Sequence, residues 1–190
     1  MLHIQSRAII NDNMMRLWFG LFTFLLALTA HPADATTPQV ELMRIDGVSQ
    51  PMSDYIGHGK WVVINVWSPT CSACVKELPT LEKFRAQHAD DTIVLGLTLD
   101  FPSFGYGKAD IIKNFLQSHP LDYPIFLADL DLTAAVIGNR LVAIPLTAIF
   151  HPDGRVLARW PGYIDINEIE EFMRTYKDYV PNDNLSTDFE

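Results

Sequence analysis

Cys71 and Cys74 are the chain's two cysteines, separated by Ser72 and Ala73. If a helix opens here, that spacing stacks the sulfurs one turn apart on one face, where two thiols can close and reopen a disulfide. A loop this small constrains the unfolded chain little, which argues for chemistry over stapling. A cysteine at a helix N-terminus meets unpaired backbone N–H groups and the positive end of the macrodipole, and both favour thiolate. Cys71 takes that position and is read as the attacking thiol. Cys74, one turn deeper, is read as the resolving thiol. Structural or metal-binding thiols are the alternative, but zinc wants four ligands, and there is no second Cys-x-x-Cys and no closely spaced histidine pair.

The elements that must hold this pair follow from patterning. Trp61-Val62-Val63-Ile64-Asn65-Val66-Trp67 is almost continuously apolar and β-branched, as expected of a central strand covered on both faces. Val75, Leu78, Leu81 and Phe84 then recur every third residue, predicting a helix to about His88 that Pro79 should kink. Val40 to Ile45 reads as a short edge strand before the Asp46-Gly47 turn, and Ile93 to Leu99 as a second buried strand. An aromatic, glycine-rich loop (Phe101 to Gly107) leads to a helix with Ile111, Ile112, Phe115 and Leu116 as its apolar face, stopped by Pro120. Pro124 to Leu127 reads as a strand and Leu132 to Ile137 as a short helix. Leu146 to Phe150 and Arg155 to Trp160 flank Pro152-Asp153-Gly154 as a hairpin. A last helix starts at Asp165, with Glu168 completing a capping box and Ile166, Ile169, Phe172, Met173 and Tyr176 as its buried stripe. Strands separated by helices and closing on a hairpin predict an α/β fold, a central mixed β-sheet flanked by helices.

The 190 residues, 48% hydrophobic, suffice for one core without structural disulfides or metals. The first 35 residues carry Arg7, Arg16, Asp12 and Asp34 and sum to zero, so the net charge of −9 falls on the remainder. That balance speaks against nucleic acid as a partner. Met14-Met15-Arg16, the nearly all apolar run of 14 residues from Leu17 to Ala30 and Ala33-Asp34-Ala35, which resembles a small-residue cleavage site, read as an export signal at 1–35. The run is shorter than the roughly 20 residues of a spanning helix, so a cleaved signal is expected ahead of an uncleaved membrane tether. Residues 36–180 form the expected domain and 181–190 a flexible acidic tail. Export would place the cysteines in a periplasm or an equivalent compartment, where disulfides persist.

Residues 40 to 178 resemble the thioredoxin superfamily, in particular its exported TlpA/ResA-like, cytochrome c maturation branch. The resemblance is carried by Gly59 to Trp67, by Cys71-Ser72-Ala73-Cys74-Val75-Lys76-Glu77-Leu78-Pro79, by Ile144-Pro145 and by Asp153-Gly154-Arg155. It implies a thioredoxin fold with a TlpA-like N-terminal strand and a central insertion. It also implies a cis Ile144-Pro145 peptide facing the cysteines, with the Ile144 backbone free to pair with an extended client; an ordinary trans proline entering the next strand is the alternative. Thr70, Ser72 and Ala73 complete the implied client-contacting set. They stand where many relatives have tryptophan before the first cysteine and proline or glutamate between the two, so the direction of electron flow is not legible from them.

Cytosolic thioredoxins place a buried aspartate six residues before the first cysteine. Here that residue is Asn65, which cannot titrate. ResA-like proteins carry a glutamate where this chain has Glu77, so the resemblance implies Glu77 as the acid–base residue for Cys74; partial burial would raise its pKa. A solvated glutamate paired with Lys76 or Lys83 is the alternative. Trp61 and Trp67 read as core or rim, and His58, His88, His119 and His151 as surface or turn residues.

The expected function is exported thiol–disulfide oxidoreduction, with the Cys71–Cys74 disulfide itself as redox centre and no separate cofactor or metal. The expected partners are disulfide-bearing periplasmic proteins and a membrane electron donor of the DsbD/CcdA kind, the protein itself acting as a monomer. An oxidase or isomerase would use the same residues. A thiol peroxidase is suggested faintly by Pro69-Thr70-Cys71, although peroxiredoxins place the proline and threonine further ahead of the cysteine. A copper chaperone would use the two soft thiolates.

Overall fold

The computed structural model describes residues 40–179; the expected export segment and acidic tail lie outside them. In chain order come β1 (Glu41–Arg44), β2 (Ser49–Pro51), β3 (Trp61–Trp67), α1 (Ser72–Gln87), β4 (Thr92–Asp100), β5 (Gly105–Tyr106), α2 (Ala109–Leu116), β6 (Ile125–Leu127), α3 (Leu130–Ile137), β7 (Leu146–Phe150), β8 (Val156–Pro161) and α4 (Ile166–Thr175).

The sheet runs β2-β1-β6-β4-β3-β7-β8, with β5 hung on the end of β4. β3 pairs parallel with β4, and β4 with β6; β7 is antiparallel to both β3 and β8. This is the mixed sheet the sequence predicts, with two corrections. β1 is interior, because the three-residue strand β2 covers its outer side. β4 occupies the middle of the order, with β3 beside it. Both β3 and β4 are long apolar runs, and only the non-local pairings decide which lies central.

Side chains alternate across β3. Val62, Ile64 and Val66 face a cluster with Leu95, Leu97, Phe126, Phe150 and the α3 residues Val136 and Ile137. Trp61, Val63 and Trp67 face the opposite cluster, with Leu78, Leu81 and Phe84 of α1, Ile112 of α2 and Ile169 and Met173 of α4. Helices therefore cover both faces. Burying each of Leu78, Leu81 and Phe84 contributes about 1.5–3 kcal/mol, which fixes α1 on the sheet and holds its first turn at the end of β3. α1 runs unbroken through Pro79, which lies on its exposed side.

Turn chemistry matches the expectations at several points. Asp165 and Glu168 form the capping box of α4, and Asp129 caps α3, which ends on the left-handed Gly138. The expected face of α2 is only half right: Ile112 is buried but Ile111 is 44% exposed. His88 and His151 also differ from simple surface residues. His88 stacks on Phe84 and contacts Glu170 at 3.0 Å, and His151 meets the edge of Trp61 beside Asp153. Trp61 and Trp67 are core residues.

Candidate functional site

The chain leaves β3 fully buried at Trp67 and turns through Ser68 to Thr70 into α1, whose N-cap is Cys71. Cys71 N–H donates to the Ser68 carbonyl at 3.1 Å, which closes the turn. Cys71 Sγ accepts from the Cys74 backbone N–H at 3.2 Å, so one of the helix's unpaired N–H groups points at this sulfur. The two sulfurs are joined in a disulfide across a Cα–Cα distance of 5.3 Å. Cys74 is sealed at 0% exposure and Cys71 retains 6%. Cys71 is less open than its expected role suggests, yet it is the member of the pair that reaches the surface.

Across the site stands Ile144-Pro145, a cis peptide. The Ile144 carbonyl lies 3.9 Å from Cys71 Sγ, and Ile144 is half-buried while Ala143 and Val142 are exposed. This edge has polar backbone beside the sulfur, and proline supplies no N–H to compete for it. Thr70 is exposed, and its hydroxyl donates to the Phe101 carbonyl at 2.7 Å. That bond ties the approach to Cys71 to the aromatic loop, where Phe101 and Phe104 stack edge to face. Ser72 and Ala73 lie exposed on the first turn of α1.

Beneath the disulfide, Glu77 is completely buried. One carboxylate oxygen accepts from Asn65 Nδ2 at 2.9 Å and the other from the Ile164 backbone N–H at 2.8 Å. Burial pushes its pKa up, and the two hydrogen bonds oppose that only in part. The Ile164 contact is invisible in the sequence: a backbone donor, 87 residues from Glu77, delivered by the turn between β8 and α4. The same turn donates Gly162 N–H to the Pro145 carbonyl at 2.7 Å, so it braces the proline loop and Glu77 together.

Among the described residues, no group of three or more His, Cys, Asp or Glu side chains gathers to hold a metal. No described helix is long and apolar enough to cross a membrane.

The sequence model of the AhpC/TSA family matches residues 33–159. The chain belongs to the AhpC/TSA family. Among curated relatives of this AhpC/TSA protein, the thiol-disulfide oxidoreductase ResA of Bacillus subtilis is 25% identical over 146 residues, covering 74% of this chain and 73% of that one. ResA of Geobacillus kaustophilus is 22% identical over 178 residues, covering 92% and 95%. Among solved structures, the pneumococcal exposed lipoprotein thioredoxin Etrx1 of Streptococcus pneumoniae superposes with a TM-score of 0.58 at 26% identity, covering 71% of this chain and 97% of that one. A thioredoxin-family thiol:disulfide interchange protein of Chlorobium tepidum gives 0.59 at 18% identity, covering 75% and 98%. The thioredoxin fold and superfamily expected from the sequence are thus found. With its Cys-x-x-Cys pair at the end of β3, this AhpC/TSA-family protein is a thiol–disulfide oxidoreductase.

Proposed function

We propose that the protein is an exported reductant of client-protein disulfides, working in a periplasm or an equivalent oxidising compartment. Cys71 thiolate attacks a client disulfide, forming a Cys71–client mixed disulfide and releasing one client thiolate. Cys74 gives its proton to the Glu77 carboxylate and attacks Cys71 Sγ. The Cys71–Cys74 disulfide forms, and the second client sulfur leaves as thiolate and takes up a proton from Glu77 or water. Two electrons reach the client, and a membrane dithiol donor of the DsbD/CcdA kind must return two. Cytochrome c maturation is the candidate pathway.

The observation that carries this reading is the buried Glu77 carboxyl on the helix of Cys74. An acidic group shut from water near the pair disfavours a second negative charge on sulfur. Strong oxidants of this superfamily are those whose thiolate is stabilised, so a group that disfavours charge on sulfur favours the disulfide product and hence reduction of the client. Ile144 and Pro145 would align the client as an added strand, with Thr70, Ser72 and Ala73 around its sulfur. The apolar run Leu17 to Ala30 supports export.

Equilibration with glutathione redox buffers tests the direction. A potential at or below about −200 mV is expected; a value near −120 mV, that of a strong oxidant, would overturn it.

A further inference from the structure

Asn65 uses one end of its amide on Glu77 and leaves the other end unsatisfied. A carboxylate can only accept, so Nδ2 must face it and Oδ1 is left over. That oxygen is fully buried and has no hydrogen-bond partner among the described residues. The two strands beside Asn65 decide what can reach it. On the β4 side its register partner is Gly96, whose missing side chain leaves its place to Ile125, the Trp67 indole and the Tyr123 ring. On the β7 side it is Thr147. Directly opposed residues of an antiparallel pair share a face with Cβ atoms about 4.5–5.5 Å apart. Thr147 has the same parity as Ile149, which packs in the cluster containing Cys71 and Cys74. Thr147 is 0% exposed, and its hydroxyl is likewise buried without a partner. An acceptor lacking a donor thus faces a hydroxyl lacking a partner, two residues beyond Pro145.

We propose that Thr147 is a positioning residue for the Glu77–Asn65 pair: its hydroxyl, through one bridging water or after a turn about its χ1, donates to Asn65 Oδ1 and keeps the amide turned with Nδ2 toward the carboxylate. The inference rests on Glu77 acting as proton carrier for Cys74. A donor on Oδ1 polarises the amide and strengthens its N–H toward the carboxylate, so Thr147 favours the ionised, proton-accepting form. The groups around Glu77 are Asn65 from β3, the Ile164 N–H from the β8–α4 turn, Cys74 three residues before it on its own helix and Tyr123, whose phenol feels the charges of Glu77 and Glu82. Without the Thr147 bond the carboxylate loses support, and higher pH is needed before it can take the Cys74 proton.

The reduced protein mixed with 5,5′-dithiobis(2-nitrobenzoate) reads this directly. Cys71 attack releases one thionitrobenzoate, and Cys74 attack on the resulting mixed disulfide releases a second, whose rate is followed against pH. Thr147→Val is expected to move the midpoint of the second phase upward by about half a pH unit. Thr147→Ser, which restores the hydroxyl, should return it to the wild-type position. Should Val prove too unstable, Thr147→Ala must show the same upward shift. A Val or Ala profile superimposed on wild type, with Glu77→Gln still altering the second phase, overturns the Thr147 proposal alone. An unaltered second phase in Glu77→Gln overturns the Glu77 reading and this proposal with it.

Discussion

Glu77→Gln should make the disulfide form more stable and the enzyme slower, and the pH dependence carries the argument. In the oxidised protein neither cysteine titrates, so the carboxyl can be read alone. Its folded pKa lies above the ordinary value of 4.5 because burial disfavours the charge. The folded state therefore holds the proton more tightly than the unfolded chain. The stability this contributes is complete below the unfolded pKa and is lost as pH rises through the folded pKa, at about 1.4 kcal/mol for each unit of separation. Glutamine does not titrate and loses nothing over that window. Its oxygen keeps the Ile164 N–H now 2.8 Å from Glu77, and once the Asn65 amide turns over its Nε2 can donate to Asn65 Oδ1, leaving Asn65 Nδ2 to the Thr147 hydroxyl, which can also accept. Urea unfolding of the oxidised forms from pH 4 to 9 should give nearly equal stabilities at the acid end and a growing advantage for Gln toward the alkaline end. Glu77→Leu, by contrast, leaves the Ile164 N–H and Asn65 Nδ2 without acceptors and should cost about 2–6 kcal/mol. Resolution by Cys74 in the Gln variant should slow by about 100-fold at neutral pH. Parallel stability curves for wild type and Gln across the whole range would refute the buried, ionisable carboxyl.

Three further substitutions probe the frame around the site. At Gly96 an added Cβ would lie 2.6 Å from Ile125 Cδ1, 3.0 Å from Trp67 Nε1 and 3.2 Å from Tyr123 Cε2; Gly96→Ala should therefore cost about 1–3 kcal/mol in chemical denaturation. Asp165→Ala removes the capping box of α4 and should cost about 1 kcal/mol, lowering Tm by about 2–4 °C in calorimetry. Thr70→Val breaks the exposed bond to the Phe101 carbonyl. It should change stability by less than about 1 kcal/mol yet raise KM for a peptide disulfide, because the aromatic loop is no longer tied to the approach to Cys71.

The parts of the fold that were legible in the sequence are those written in local pattern. β3 is a seven-residue run apolar but for Asn65, α1 shows its period in Leu78, Leu81 and Phe84, and the capping box announces α4. β2 is not legible, because Ser49-Gln50-Pro51 has neither alternation nor apolar content and only pairing with β1 makes it a strand; without β2, β1 reads as an edge. Ile111 reads as part of the buried face of α2 because hydrophobicity alone does not say how far a sheet extends beneath a short helix. In the candidate site, the Cys71–Cys74 pairing and the burial of Glu77 are legible from spacing and resemblance. The Ile164 N–H is not, since a backbone donor has no sequence signature. Thr147 left a faint one: a polar residue among Leu146, Ala148, Ile149 and Phe150, at a buried position where an apolar side chain would be the default.

Most direct of all is a comparison of Cys74→Ser and Cys71→Ser with one disulfide-containing peptide, followed by intact-mass spectrometry. Cys74 is sealed and Cys71 meets the surface beside the Ile144 carbonyl, so Cys74→Ser should accumulate a covalent peptide adduct through Cys71, while Cys71→Ser should stay unmodified. Equal adducts on both variants, or an adduct on Cys71→Ser alone, would contradict the assignment of attack to Cys71 and release to Cys74.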